Sequence, residues 1–170
     1  MATENWAECL KKILHHEGGY VNHPKDPGGE TNLGVTKRVY EEHGGTKDMK
    51  DLTVEDVSPI YKKSYWDRVK GDQLPSGLDL CVFDFGVNAG TGRAAKYLQR
   101  MIGSTPDGGI GPMTLKAVDE YVAKHGVDGA VKNYQEARQS YYEKLSTFET
   151  FGRGWTRRVN ETTDSALKMI

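Results

Sequence analysis

The chain has 170 residues, enough for one ordinary domain with a buried core and too few for two full-sized ones. Hydrophobic residues make up 36% of it and charged residues 28%; with three Trp and nine Tyr, this composition excludes a disordered chain. The net charge is -1 at pH 7, and neither half of the sequence has the basic excess typical of a nucleic-acid-binding protein. We therefore expect a folded domain that does not bind nucleic acid.

The sequence lacks the features of a membrane or disulfide-stabilised protein. No stretch of 18 apolar residues is present, and residues 1–6 lack the basic start and apolar centre of a signal peptide. We therefore expect synthesis in a cytoplasm and no stable membrane insertion. Cys9 and Cys81 lie in apolar periodic stretches, where a free cysteine behaves as a small buried hydrophobe, so we expect two core thiols.

The first helix is predicted from the apolar residues between Trp6 and Leu14, which recur near a period of 3.6. Gly18-Gly19 must end this helix, which places Glu17 at its C-terminal edge. Turn-forming Pro, Gly and Asn residues then follow from residue 20 to residue 35. This segment is predicted to be a loop or a small hairpin.

The rest of the chain has helical patterns. Thr53-Val54-Glu55-Asp56 has the form of a capping box, and Leu78 to Val87 is apolar nearly all round, as in a buried central helix. Further helices are predicted over residues 36–44, 53–66, 94–102, 113–124 (with Pro112 in its first turn), 130–148 and 156–170. The pattern predicts an all-α domain, a helical bundle around this central helix, with a small loop or hairpin lobe near residues 20–35.

Two carboxylates and a hydroxyl lie close together in the sequence. Cleavage of a glycosidic bond needs a carboxylic acid that protonates the leaving oxygen and, usually, a second carboxylate that activates water or attacks the anomeric carbon. Glu17 at a helix end fits the acid, Asp26 in a Pro/Gly turn fits the second carboxylate, and Thr31 fits a water-positioning hydroxyl. Since a Glu near a helix end is more often a cap or a solvated residue, the residues alone leave both interpretations open.

The segment Glu17-Gly18-Gly19-Tyr20, with DPGGETNLGVT at residues 26–36, resembles the signature of glycoside hydrolase family 108. This family comprises lysozyme-like N-acetylmuramidases of phage endolysins and related bacterial secretion-associated enzymes. Residues 82–90 (VFDFGVNAG) resemble the central helix of phage lysozymes, and residues 107–115 resemble the predicted peptidoglycan-binding segment of the family. The resemblance covers about residues 10–160.

The resemblance implies an α+β lysozyme-like fold and the hydrolysis of β-1,4 bonds between N-acetylmuramic acid and N-acetylglucosamine in peptidoglycan. Glu17 inherits the role of catalytic acid from the family motif. The roles of Asp26 as base and Thr31 as water-positioning residue follow from the similarity to phage lysozymes. The resemblance also implies a catalytic region at residues 1–95 and a helical region at residues 96–170 with a peptidoglycan-binding-like segment, packed as one globular unit.

The same resemblance implies that the partner is the peptidoglycan glycan strand, that no cofactor is needed and that the enzyme is a monomer. An enzyme made in the cytoplasm that degrades a cell wall needs release through a pore or specialised secretion, as in host lysis by a bacteriophage.

Three further residues are candidates for substrate binding. Tyr20, beside Glu17, and Tyr65 are candidates for stacking on sugar rings, with core packing the alternative for such aromatics. Asn88, at a glycine turn, fits either a hydrogen bond to an acetamido group or a helix cap. We expect no metal site, because the pattern His-Glu-x-x-His would need a histidine where Tyr20 stands.

Two other functions fit part of the pattern. A lytic transglycosylase uses the acid but moves the sugar's own hydroxyl onto the anomeric carbon, and Asp26 disfavours it. A non-catalytic peptidoglycan-binding protein would use only the segment Asp107–Leu115.

Overall fold

The computed structural model describes residues 5–22 and 29–170. In these residues the α-helices are α1 (Trp6–Glu17), α2 (Lys37–Glu42), α3 (Val54–Tyr61), α4 (Leu78–Ala89), α5 (Thr91–Ile102), α6 (Pro112–Glu143) and α7 (Phe148–Leu167). The strands are β1 (Val21–Asn22), β2 (Glu30–Asn32) and β3 (Val35–Thr36). The predicted helical fold with a small lobe, and its lysozyme-like α+β character, are confirmed.

The chain divides into two compact units. Ala7–Ser64 forms one, which we call the hairpin unit, and Met1–Trp6 with Tyr65–Ile170 forms the other, which we call the helical unit. The division at residues 95 and 96 drawn from the sequence, and the packing of those regions as one unit, stay predictions.

The hairpin unit begins with α1, which buries Cys9, Leu10 and Ile13 on one face. The helix ends at Glu17, immediately before the glycine pair, as predicted from the sequence. Helix α1 therefore delivers the candidate acid at its last residue.

A three-stranded antiparallel sheet in the order β1-β2-β3 follows α1. Thr31 of β2 pairs with Val21 on one side and with Thr36 on the other. Two residues, Leu33 and Gly34, connect β2 to β3, both with positive φ, 52° and 78°. Positive φ at both central residues is characteristic of the type I′ turn, whose twist suits a tight hairpin. The segment predicted to be a loop or a small hairpin thus contains a small sheet.

Side-chain caps start the next two helices. Thr36 accepts a hydrogen bond from the Val39 amide at the start of α2. Thr53 and Asp56 form the predicted capping box at the start of α3, each accepting from the other's backbone amide. Beyond α3 the chain forms a π-helical turn, Lys62–Trp66, and two short 3-10 helices lie at Met49–Asp51 and Gly71–Gln73.

Helix α4 is the buried centre of the helical unit. All its residues from Leu78 to Gly86 are buried, which confirms the central helix expected from its continuous apolar run. An aromatic cluster packs against it, with the Trp6 ring 5.4 Å from Trp66 and 5.5 Å from Phe83. Both cysteines are buried thiols, as predicted, and burial raises the pKa of the Cys81 thiol.

Asp84 is a buried carboxylate between two arginines. It lies on α4 with 1% of its side chain exposed, 2.6 Å from Nη2 of the fully buried Arg138 on α6 and 2.9 Å from Nη2 of Arg158 on α7. This ionic cluster joins three helices of the helical unit.

Two helix boundaries in the last third differ from the prediction. The two helices predicted over residues 113–124 and 130–148 lie within α6, where the non-helical Gly126 confirms the interruption between them, but α6 ends at Glu143 rather than near residue 148. Helix α7 begins at Phe148 rather than near residue 156. Gly152 is helical and buried, and a Cβ on it would lie 2.8 Å from Cδ2 of Phe148, so this glycine provides room for an aromatic ring. No helix in the described part of the chain is both long and apolar enough to cross a membrane.

Candidate active site

The hairpin unit packs a two-residue turn against the candidate acid. Glu17 is half-buried at the end of α1, and a Cβ added to Gly34 would lie 2.9 Å from Cβ and 3.0 Å from Cγ of Glu17. The same added atom would also collide with the Tyr61 hydroxyl. The Glu17 stem therefore lies against bare backbone of the β2-β3 turn.

Tyr61 of α3 holds this turn in place. Its hydroxyl donates a hydrogen bond to the carbonyl oxygen of Leu33 at 2.8 Å. Leu33 has a left-handed backbone conformation that costs a non-glycine residue roughly 1 kcal/mol or more, so contacts of this kind must maintain it. Turn, tyrosine and helix end together limit where the Glu17 carboxyl lies.

Tyr20 and Glu30 form a second pair in the hairpin unit. The Tyr20 hydroxyl donates to Oε2 of Glu30 at 2.6 Å, and Nζ of Lys50 lies 5.6 Å from the centre of the Tyr20 ring. The hydrogen bond to Glu30 is the largest cause of the raised pKa of the Tyr20 phenol, so Tyr20 stays neutral. The ring predicted to stack on a sugar is thus fixed by a carboxylate that the sequence did not single out.

Thr31 lies in the middle of β2, half-buried. Successive side chains of a strand alternate between faces, so Thr31 faces opposite to Glu30 and to the buried Asn32, whose amide donates to the Met49 carbonyl at 2.7 Å. Asp26, the predicted base, lies outside the described residues. The roles of Glu17, Asp26 and Thr31 stay predictions.

The other two predicted binding residues belong to the helical unit. Asn88 is exposed near the end of α4, and its Oδ1 accepts a hydrogen bond from the Tyr142 hydroxyl. Tyr65 is half-buried in the π-helical turn. The assignment of both residues to substrate binding stays a prediction.

Sequence reasoning missed Tyr61, Gly34 and Glu30 as neighbours of the site. The dipeptide Leu33-Gly34 before Val35 is a turn signal, and the β2-β3 hairpin could have been predicted from it. Tyr61 carries no such signal, because its 28-residue separation from Leu33 is closed only by the fold. Within residues 5–22 and 29–170, no group of three or more His, Cys, Asp or Glu side chains is arranged to hold a metal ion.

Comparisons with known proteins assign both parts of the chain. Residues 10–90 match the family model described as Glycosyl hydrolase 108, and residues 93–160 match a model described as Predicted Peptidoglycan domain. Among solved structures, the chain is similar to Brucella abortus SagA with 38% sequence identity and a TM-score of 0.82, over 98% of this chain and 96% of that one. No curated protein sequence matches the chain.

The fold, the position of Glu17 and these matches agree with the resemblance found in the sequence. A glycosyl hydrolase model followed by a peptidoglycan domain identifies peptidoglycan as the substrate. The chain is a peptidoglycan-cleaving muramidase and belongs to glycosyl hydrolase family 108.

Proposed function

We propose that the enzyme is of the lysozyme type and hydrolyses the β-1,4 bond between N-acetylmuramic acid and N-acetylglucosamine, with Glu17 as the catalytic acid. The observation that carries this proposal is the packing of the Glu17 stem against Gly34, beside the hydroxyl of Tyr61. A catalytic carboxyl must be held in position, and here a helix end, a strained turn and a tyrosine hold one.

In the proposed reaction, Glu17 gives its proton to the glycosidic oxygen while the bond from that oxygen to the anomeric carbon breaks. A water molecule adds to the anomeric carbon and releases a proton to a carboxylate. The products are a free reducing end on N-acetylmuramic acid and a free 4-hydroxyl on N-acetylglucosamine. We assign the second carboxylate to Asp26 and the positioning of water to Thr31, because the spacing of these residues matches that of phage lysozymes.

Substitution of the acid tests the proposal. We expect Glu17→Gln to keep the fold and to lower the release of reducing ends from purified peptidoglycan by about a hundredfold or more, since general acid catalysis contributes about 10² to 10⁴ in rate. Glu42→Gln is the matched control, because Glu42 is an exposed glutamate in a surface ion pair with Arg38 on α2. Full activity of Glu17→Gln would refute the assignment.

Mass spectrometry of the same digests separates the alternative functions. Reducing ends are expected from a hydrolase, whereas anhydromuramic ends would identify a lytic transglycosylase. Binding to sacculi without release of glycans would identify a non-catalytic binding protein.

We further propose that the enzyme acts as a monomer on the cell wall after release from the cytoplasm through a pore or by specialised secretion. Host lysis by a phage endolysin and specialised secretion by a bacterium are both versions of this proposal. Its support is the resemblance of residues 17–36 to a family that includes phage endolysins and secretion-associated bacterial enzymes.

A further inference from the structure

A cavity of about 350 Å³ lies within the helical unit, where the end of α4 meets α5, α6 and α7. We call it the Arg93 cavity, after its lining residues Asn88, Arg93, Tyr141 and Trp155. Among the described residues, none of those that line it is acidic. Its walls combine hydrogen-bond donors with aromatic rings, a combination suited to a polar ligand with a flat or apolar part.

A buried chain of polar groups orients Asn88 at the cavity. Arg138 is fixed by Asp84 and donates from its Nε to the Tyr142 hydroxyl oxygen at 3.1 Å. Tyr142 therefore directs its own proton to Oδ1 of Asn88. Because this oxygen is engaged, the side-chain NH₂ group of Asn88 is the group left to donate to a ligand.

Arg93 is held along the cavity wall. Its Nη1 donates to the Ala89 carbonyl at 2.9 Å, and its guanidinium carbon lies 4.7 Å from the centre of the Tyr141 ring. Arg93 is exposed, and among the described residues no carboxylate forms an ion pair with it. Its remaining N–H groups and its positive charge are available to an anion.

The ring faces complete the cavity. Trp155 is half-buried and stacks on Tyr142 with 5.1 Å between ring centres, which fixes its plane. A ligand carboxylate bound to Arg93 and Asn88 would have its attached carbon chain against these aromatic side chains.

We propose that the Arg93 cavity binds a carboxylate of the peptide stem that the glycan strand carries, an inference that rests on the proposed muramidase function. In peptidoglycan the lactyl carboxyl group of N-acetylmuramic acid is used up in the amide bond to the first amino acid. The sugars of such a strand bear no negative charge, so its carboxylates belong to the peptide. A cationic guanidinium without an acidic neighbour favours that part of the polymer.

Isothermal titration calorimetry tests the choice of ligand. The probes are the disaccharide product bearing a tetrapeptide stem, the same molecule with its carboxylates amidated, and the peptide-free disaccharide, whose lactyl carboxylate is free. We expect the free stem peptide to bind about tenfold or more tightly than the amidated one, because charge-assisted hydrogen bonds are roughly twice as strong as neutral ones. Equal binding of the amidated probe, or tighter binding of the peptide-free disaccharide, would overturn the proposal.

Two variants and a matched control test the location. Arg93→Gln should weaken binding of the stem-peptide probe about tenfold, and so should Asn88→Asp, which keeps the size of the side chain but places a carboxylate opposite the ligand. Arg100→Gln is the control, because Arg100 lies on the same helix and stacks on Tyr97 at 5.5 Å but does not line the cavity. Unchanged binding by Arg93→Gln, or an equal loss in Arg100→Gln, would also overturn the proposal.

Release of reducing ends from sacculi by the unchanged enzyme is measured in parallel. If these ends appear while the binding tests fail, only the cavity proposal is wrong. If no reducing ends appear, the proposed function is wrong, and the binding data still decide whether the cavity takes a carboxylate.

Discussion

Gly34 lies where any side chain would collide with the candidate acid, in a backbone with positive φ. Gly34→Ala would place a Cβ 2.9 Å from the Glu17 Cβ in a backbone with φ of 78°. We expect lower wall-degrading activity and a loss of unfolding free energy greater than the roughly 1 to 2 kcal/mol that a left-handed alanine costs alone. Thermal unfolding and reducing-end assays measure the two effects.

Gly29→Ala is the control for this prediction. Gly29 also has positive φ, 71°, but an added Cβ there meets no atom within 4 Å. It therefore isolates the backbone cost from the collision. If the two variants lose equal stability and equal activity, the close packing of Gly34 on Glu17 does not contribute to function.

At the scale of single residues, the sequence predicts the positions of side chains that depend only on neighbours close in the sequence. A glycine pair directly after the last periodic residue is a common helix C-terminus, and Glu17 was placed correctly at the end of α1. The Tyr20–Glu30 hydrogen bond depends on the register between β1 and β2, in which Asn22 pairs with Glu30. Strands of two or three residues are too short to show an alternation of apolar and polar side chains. The sequence therefore could not predict this register.

At the scale of elements, one glutamine organises the loop between α5 and α6. Gln99 is fully buried; its amide nitrogen lies within hydrogen-bond distance of Asp107 and of the Gly109 carbonyl, and its oxygen accepts from the Gly108 amide. We expect Gln99→Leu to cost about 1 to 3 kcal/mol in urea unfolding, because it leaves the Gly108 amide without its acceptor. Gln73→Leu, at an exposed position in a short 3-10 helix, should change stability little, and an equal effect of the two would contradict this account.

Element boundaries were predicted best where a cap or a glycine pair marks them. The Thr53 capping box and Pro112 in the first turn of α6 are examples. The predicted start of α7 near residue 156 was wrong, because the helix already begins at Phe148 and includes Gly152 and Gly154. Two glycines inside a helix go against their low helix propensity.

At the scale of the whole molecule, the Asp84 cluster links stability to pH. Burial on its own would raise the pKa of Asp84, but Arg138 and Arg158 outweigh it and hold the pKa below its ordinary value of 3.8. A carboxyl with a lowered pKa in the folded state stabilises the fold above the unfolded pKa, and this stability is lost as pH falls through the folded value. The cluster therefore stabilises the protein at neutral pH and weakens in strong acid.

Asp84→Asn tests this dependence. We expect a loss of about 3 to 5 kcal/mol at pH 7, because Arg138 would stay buried without its counter-charge. The difference from the unchanged protein should narrow as pH falls below the ordinary aspartate pKa of 3.8 and through the lower folded-state pKa of Asp84, where Asp84 itself becomes protonated. Urea unfolding of both proteins across pH 2 to 7 measures this difference in unfolding free energy, with the exposed Asp119→Asn as control. A difference that stays constant with pH would contradict the assignment.

The first described residues of the chain pack on residues far along it, and this bears on folding during synthesis. The Asn5 amide donates to Ser76 and Asp79, and Trp6 joins the cluster with Trp66 and Phe83. These contacts have high contact order, since the Asn5–Ser76 hydrogen bond alone spans 71 residues of chain that must leave the ribosome before it forms. The helical unit therefore closes around its N-terminal residues late, after residues 7–64 have already been exposed to the cell.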